Sequence, residues 1–195
     1  RLGFTDGTVR AGLEAPTMTR LGWGTHFFDY DSDTDLDLFV ANGHVFPQVD
    51  RVPTGTSYGQ RNQLFRNEGD GRFKDISALA GPGLQVEKVS RGACFGDYDD
   101  DGDVDVLVVN LNDSPTLLRN DYSRGRHRIS VRLVGAGIRD GTGATIRATL
   151  GRQVQTRTVR GASSYMSYND TRVFFGLDGE DEVDALEIVW PDGEV

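Results

Sequence analysis

Eleven of the chain's thirty acidic side chains crowd into two short windows. Asp29, Asp31, Asp33, Asp35 and Asp37 occupy one, and Asp97, Asp99, Asp100, Asp101, Asp103 and Asp105 the other. Carboxylates this close repel one another unless a cation lies among them. Hard oxygen donors at every second residue suit Ca²⁺, which takes about 6–8 oxygens at roughly 2.3–2.6 Å and tolerates irregular loops, whereas Mg²⁺ keeps more of its waters. In both windows the first, third, fifth and ninth positions are Asp, and the seventh can add its backbone carbonyl. Asp29, Asp31, Asp33 and Asp37, with the carbonyl of Asp35, are therefore candidate ligands of one ion. Asp97, Asp99, Asp101 and Asp105, with the carbonyl of Asp103, are candidates for a second. An EF-hand would carry Glu at position twelve between two helices; Val40 and Val108 stand there instead, and strands follow. Position six, where such a loop turns sharply, is Gly102 in the second window and Thr34 in the first. A β-branched residue is poorly suited to positive φ, so the first ion is expected to bind more weakly.

The elements that hold these windows form a repeat. Gly24, Phe27, Asp29, Tyr30 and Asp31 recur 68 positions on as Gly92, Phe95, Asp97, Tyr98 and Asp99, and Phe4-Thr5-Asp6 recurs 69 positions on as Phe73-Lys74-Asp75. Gln63-Leu64-Phe65-Arg66-Asn67 is echoed by Thr116-Leu117-Leu118-Arg119-Asn120, now only 53 apart, because His44 to Arg61 forms a long excursion that Leu111 to Pro115 replaces. Asp37 to Ala41 and Val104 to Val109 are β-rich runs apolar on both faces, as in strands buried between layers. Gln63 to Asn67 and Arg72 to Ile76 flank the hairpin turn Glu68-Gly69-Asp70-Gly71. Leu2 to Val9 reads as the last strand of a preceding unit. Four strands per repeat is the signature of propeller blades. A closed propeller has at least about four blades and two are present, so the chain reads as part of a larger one.

From His127 the texture changes. Ile129, Val131 and Leu133 alternate with polar residues, Thr145 to Leu150 and Gln153 to Val159 flank a Gly151-Arg152 turn, and Arg172 to Phe175 and Val183 to Trp190 supply two more strands. The expected fold is all-β: a partial propeller over 1–126 and a small antiparallel sandwich or barrel-like domain over 127–195. That domain stops at the turn Pro191-Asp192-Gly193 without a return strand.

Composition narrows the function. Removing the eleven clustered charges from the formal net charge of −9 leaves +2, so the acidity belongs to the loops. A net acidic chain is a poor nucleic-acid ligand, no apolar run approaches the ~18 residues of a membrane span, and the single Cys94, expected in the core, excludes an internal disulfide. His26, His44 and His127 are too dispersed to assert a catalytic set, and no phosphate-cradling loop opens a helix. The His44–Arg61 excursion, with Phe46, Asp50, Arg51 and Tyr58, is a candidate ligand rim. Arg128, Arg132, Arg147 and Arg157 fall on polar strand phases; the expected reading is a solvated sheet face balanced by the acidic 173–195 segment, the alternative a shared guanidinium face suited to acidic glycans. Asn112-Asp113-Ser114 and Asn169-Asp170-Thr171 fit the N-glycosylation pattern.

The run Phe95-Gly96-Asp97-Tyr98-Asp99-Asp100-Asp101-Gly102-Asp103-Val104-Asp105-Val106 resembles the FG-GAP/VCBS repeats of integrin-alpha-like propellers. Val131 to Gly135, Arg139 to Ala144 and Gly161 to Tyr165 are similar to the ASPIC/UnbV domain that follows such repeats in secreted proteins. The resemblance implies a calcium-dependent module for recognition or adhesion, extracellular, periplasmic or in the cell envelope, with a protein or glycan ligand and no catalytic activity. The alternative is an accessory segment of a secreted polysaccharide-active enzyme.

Overall fold

A computed structural model describes residues 3–122, 125–135 and 141–195. Strands β1 (Gly22–Phe28), β2 (Asp37–Asn42), β4 (Gln63–Asn67) and β5 (Phe73–Asp75) form a four-stranded antiparallel sheet in the order β1-β2-β4-β5. All six residues of β2 are buried, as its two-sided apolar pattern requires. Leu38, Val40 and Phe65 form the core of this blade, with Leu13 and Phe73 against them. The short strands β3 (Gln60–Arg61) and β6 (Glu87–Lys88) pair with each other, and the repeat continues as a second sheet, β7 (Ser90–Gly96), β8 (Asp105–Asn110) and β9 (Thr116–Leu118).

The change of offset from 68 to 53 has a structural counterpart. Asn42, at the end of β2, donates through Nδ2 to the carbonyl of Arg61 at 3.0 Å and to Gln63 Oε1 at 3.1 Å. Asn110, at the end of β8, donates to the carbonyl of Ser114 at 2.8 Å and to Thr116 Oγ1 at 3.0 Å. The same amide thus staples the base of an excursion in one copy and of a tight turn in the other. Inside the excursion, Tyr58 N–H donates to Asp50 Oδ1 and Phe46 N–H to His44 Nδ1, so these two side chains build the loop itself.

Three sequence expectations need correction. Residues 3–9 contain no strand: Thr8 donates through its backbone N–H and hydroxyl to Asp6 Oδ1, a local turn that replaces extended pairing. The second sheet has three strands, because the chain after β9 runs on to β10 (His127–Val131), which pairs with β13 (Val173–Asp178). Within β8, Leu107 and Val109 are 38% and 52% exposed, so only one face of that strand is covered among the described residues.

Beyond Arg126, β11 (Thr145–Leu150), β12 (Gln153–Thr158) and β14 (Ala185–Val189) make an antiparallel sheet in the order β12-β11-β14. Leu133, Ala144, Ile146, Ala148, Val159, Val173 and Phe175 are its core, which the β10–β13 pair shares through Ile129 and Val131. Period-two alternation places these apolar residues on facing layers. Compactness divides the chain into two units that do not follow chain order. One takes the chain up to Phe28, Leu36–Ala93 and Leu107–Leu118; the other takes Asp29–Asp35, Cys94–Val106 and everything from Arg119.

His26, on β1 opposite Phe39, is held neutral: burial lowers its pKa to about 4. The unfolded chain binds a proton there below about pH 6.5 and the folded chain does not. Its contribution is therefore complete above that pH and is lost as the pH falls. Between pH 7 and 5 the wild type is expected to lose about 2 kcal/mol more stability than His26→Gln, measured by urea unfolding. Parallel losses in the two proteins would contradict this.

Candidate metal centre

Each aspartate loop closes the end of a strand pair. Phe28 and Asp37 are partners in the β1–β2 register, and the second loop runs from the end of β7 to the start of β8. The two loops have the same backbone. Position four is left-handed in both, with φ 58° at Ser32 and 57° at Asp100, and so is position six, with φ 84° at Thr34 and 93° at Gly102. The hydrogen bonds repeat as well. Asp29 accepts from the N–H of Asp33 at 3.1 Å and of Thr34 at 2.9 Å; Asp97 accepts from Asp101 and Gly102, both at 3.1 Å. Asp33 accepts from Asp35 N–H at 3.0 Å, and Asp101 from Asp103 N–H at 2.9 Å. The loop wraps its own amides around the first carboxylate, which fixes the direction of the others.

This wrapping gathers three carboxylates per loop. Asp29, Asp31 and Asp37 each offer an oxygen within 4.8 Å of the others, and so do Asp97, Asp99 and Asp105. Asp33, Asp35, Asp101 and Asp103 stand outside these groups, Asp33 and Asp101 being engaged by the loop amides. Among the described residues, these are the two clusters of His, Cys, Asp or Glu able to hold a metal ion. The donors are all hard oxygens, fitting Ca²⁺ or Mg²⁺ and unsuited to softer metals. Burial, with Asp33 and Asp31 nearby, pushes Asp29 up to about 7 despite the amides of Thr34 and Asp33. Burial likewise raises Asp105, against the donors Asn120 and Tyr98 and with the negative charges of Asp99 and Asp101. A divalent cation would reverse both shifts by supplying the missing positive charge.

Several residues around the loops had no role assigned from sequence. Asn67 N–H donates to Asp37 Oδ1 at 2.8 Å, and its counterpart Asn120 to Asp105 Oδ1 at 2.7 Å. The 53-residue echo contained both, so the signal was present. Arg126, Arg128 and Arg172 were not legible in this role. Arg126 donates to the carbonyl of Asp31 at 3.0 Å and lies 3.4 Å from Asp31 Oδ1, a member of the converging group. Arg128 pairs with Asp103, and Arg172 donates to Asp100 Oδ1 at 2.9 Å.

The alternative of a shared guanidinium face is not formed. Arg128 lies on β10, in a different sheet from Arg147 and Arg157. Arg157 is opposite Ile146 in the β11–β12 register, which puts Arg147 on the other side of that sheet, paired with Glu187. Arg157 packs over the Phe175 ring, and burial lowers its pKa although Asp29 and Asp35 act in the opposite sense. Asn169 is no glycan acceptor in this fold: it is 5% exposed, accepts from Phe95 N–H and donates to Ser163 Oγ. Asn112 is exposed. Arg139 and Asp140, part of the C-terminal motif, lie outside the described residues.

Comparison with known proteins agrees with this architecture. Cartilage acidic protein 1 of Mus musculus and of Homo sapiens are each 25% identical to the chain over 177 residues, 86% of it, and that of Xenopus tropicalis is 24% identical over 178 residues. The chain spans about a quarter of the length of these relatives. Residues 29–108 match the family model of the FG-GAP-like repeat, and residues 135–195 that of ASPIC and UnbV. The chain thus joins an FG-GAP-like repeat segment, which carries both aspartate loops, to an ASPIC and UnbV domain.

Proposed function

We propose that the chain is a calcium-stabilised recognition module that acts by binding a protein or glycan outside the cytoplasm, without catalysis. The observation that carries the reading is the duplicated loop: two stretches of chain with the same φ angles and amide pattern each converge three carboxylates. Asp29, Asp31 and Asp37 would hold one ion and Asp97, Asp99 and Asp105 the other, with further oxygens from the carbonyls of Asp35 and Asp103. Bound Ca²⁺ would neutralise the cluster and make each strand connection rigid. Ca²⁺ sites of extracellular modules bind at about 10⁻⁴–10⁻³ M, a range filled outside cells and empty in cytosol. The resemblance to proteins named for cartilage fits an extracellular setting. In the excursion, His44 and Asp50 are used to build the loop, which supports binding over acid–base chemistry there. No helix among the described residues is long and apolar enough to cross a membrane.

Retention of the protein on a panel of matrix proteins and acidic polysaccharides tests this reading. Binding that needs calcium and releases no oligosaccharide supports it; depolymerisation that persists in chelator overturns it.

Two further outcomes concern the ions. Calorimetry is expected to resolve two Ca²⁺ sites with the first weaker, for two reasons: Thr34 is held at φ 84°, and Arg126 already lies beside Asp31. Thr34→Gly relieves a left-handed backbone strain of about 1–2 kcal/mol, so it should tighten the first site roughly tenfold. Gly102→Ala should weaken the second by at least as much, since at φ 93° its Cβ would lie 2.6 Å from Arg128 Nε. Equal sites, or no response to either substitution, would contradict the assignment. Calcium at a hundredfold over the dissociation constant should stabilise the fold by about 2.7 kcal/mol per site, read as a fall in Tm on adding chelator. Asp97→Asn should remove the share due to the second site.

A further inference from the structure

The second loop is gripped from outside by side chains of the C-terminal β domain. Arg172, just before β13, spreads its guanidinium over three acceptors: Nε donates to Asp170 Oδ2 at 2.5 Å, Nη1 to Asp100 Oδ1 at 2.9 Å and Nη2 to the carbonyl of Asp97 at 2.6 Å. Arg128, on β10, donates from Nη2 to the carbonyl of Asp101 at 2.8 Å and pairs with the Asp103 carboxylate. The backbone joins in, with Asp170 N–H donating to the carbonyl of Phe95 at 2.9 Å and Phe95 N–H to Asn169 Oδ1 at 3.1 Å. Approach is close enough that a Cβ on Gly96 would stand 2.9 Å from Asp170 Cβ.

The acceptors are divided. Asp100 and Asp103, which lie outside the converging group, take the guanidinium groups, as do the backbone carbonyls of Asp97 and Asp101. In this loop's converging group, Asp97 Oδ2 lies 3.7 Å from Arg172 Nη1. A planar guanidinium fork with fixed donor directions sets the angles between its acceptors, which a freely rotating ammonium does not.

We propose that Arg128 and Arg172 are positioning residues of the second ion site. They hold the loop in its ligating shape before any ion arrives, and they make ion binding and the folding of β10 and β13 one linked equilibrium. The second half of this rests on the calcium reading above; the first half does not.

Hydrogen exchange on the intact chain separates the two. In chelator, Arg172→Gln should speed exchange of the Asp101, Gly102 and Asp103 amides at least tenfold, and Asp100→Asn, a change at an exposed side chain that leaves the fold intact, about threefold. Unchanged exchange in both variants overturns the positioning role. On adding calcium, amides of the β10–β13 ladder such as Ile129 and Phe175 should slow at least tenfold in the wild type and far less in Arg172→Gln, whose second-site affinity by calorimetry falls about tenfold. Arg172→Lys, which keeps the charge but not the fork, should fall between. A wild type that binds no calcium sinks the linkage and the proposed function together while the chelator arm still decides the positioning role. Calcium binding that leaves the ladder amides unaffected sinks the linkage alone.

Discussion

Mutual repulsion among crowded carboxylates is the constraint around which this molecule is organised. Nothing in a β-hairpin requires five or six aspartates in nine residues, and their cost is visible in the folded chain, where burial and neighbouring charge raise Asp29 and Asp105. The fold offsets that cost with positive ends of several kinds. Loop amides point at the first carboxylate, the backbone N–H of Asn120 points at the last, and guanidinium groups bond to Asp100 and Asp103. In each loop the first, third and ninth carboxylates, held by these donors, still bring three oxygens within 4.8 Å of one another. A dense negative centre ringed by oriented dipoles is the arrangement a divalent cation completes.

The repeat explains how such a centre is built twice. A strand pair fixes the loop ends, positive φ at positions four and six turns the chain inward, and one asparagine caps the ninth aspartate. The copies differ where they can afford to. Asn42 and Asn110 form equivalent bonds at the base of a long excursion and of a short turn, so insertion length does not reach the loops. Thr34 and Gly102 differ in strain, and Gln153 donates to Thr34 Oγ1 where Arg128 crowds Gly102, so each position is matched to its neighbour from the C-terminal domain.

Much of this was legible in the sequence. Strand periodicity located β2, β4, β8, β10, β11 and β12, because this signal acts within ten residues, and fixed spacing picked out the members of both acidic clusters together with Asp33, Asp35, Asp101 and Asp103, which stand outside them. The positive φ expected at position six is present even where a threonine occupies it. Long-range pairing was not legible. Arg172 and Asp100 are 72 positions apart, and alternation says which side of a strand a guanidinium lies on without saying what is opposite. The same ignorance of register left one arginine face open as an alternative, which the Ile146–Arg157 pairing divides. Asn169 looked like a surface acceptor because a three-residue pattern carries no information on burial. Leu2 to Val9 read as a strand because Phe4-Thr5-Asp6 matches Phe73-Lys74-Asp75, which is β5, and the match did not reveal the Asp6–Thr8 turn.

The most direct measurement is a crystal structure grown in millimolar calcium, with anomalous scattering collected to identify the metal. The account predicts one calcium peak between Asp97, Asp99 and Asp105, ligated at about 2.3–2.6 Å, and a second, less occupied, between Asp29, Asp31 and Asp37. Loops that keep their shape with water alone at both positions would contradict it.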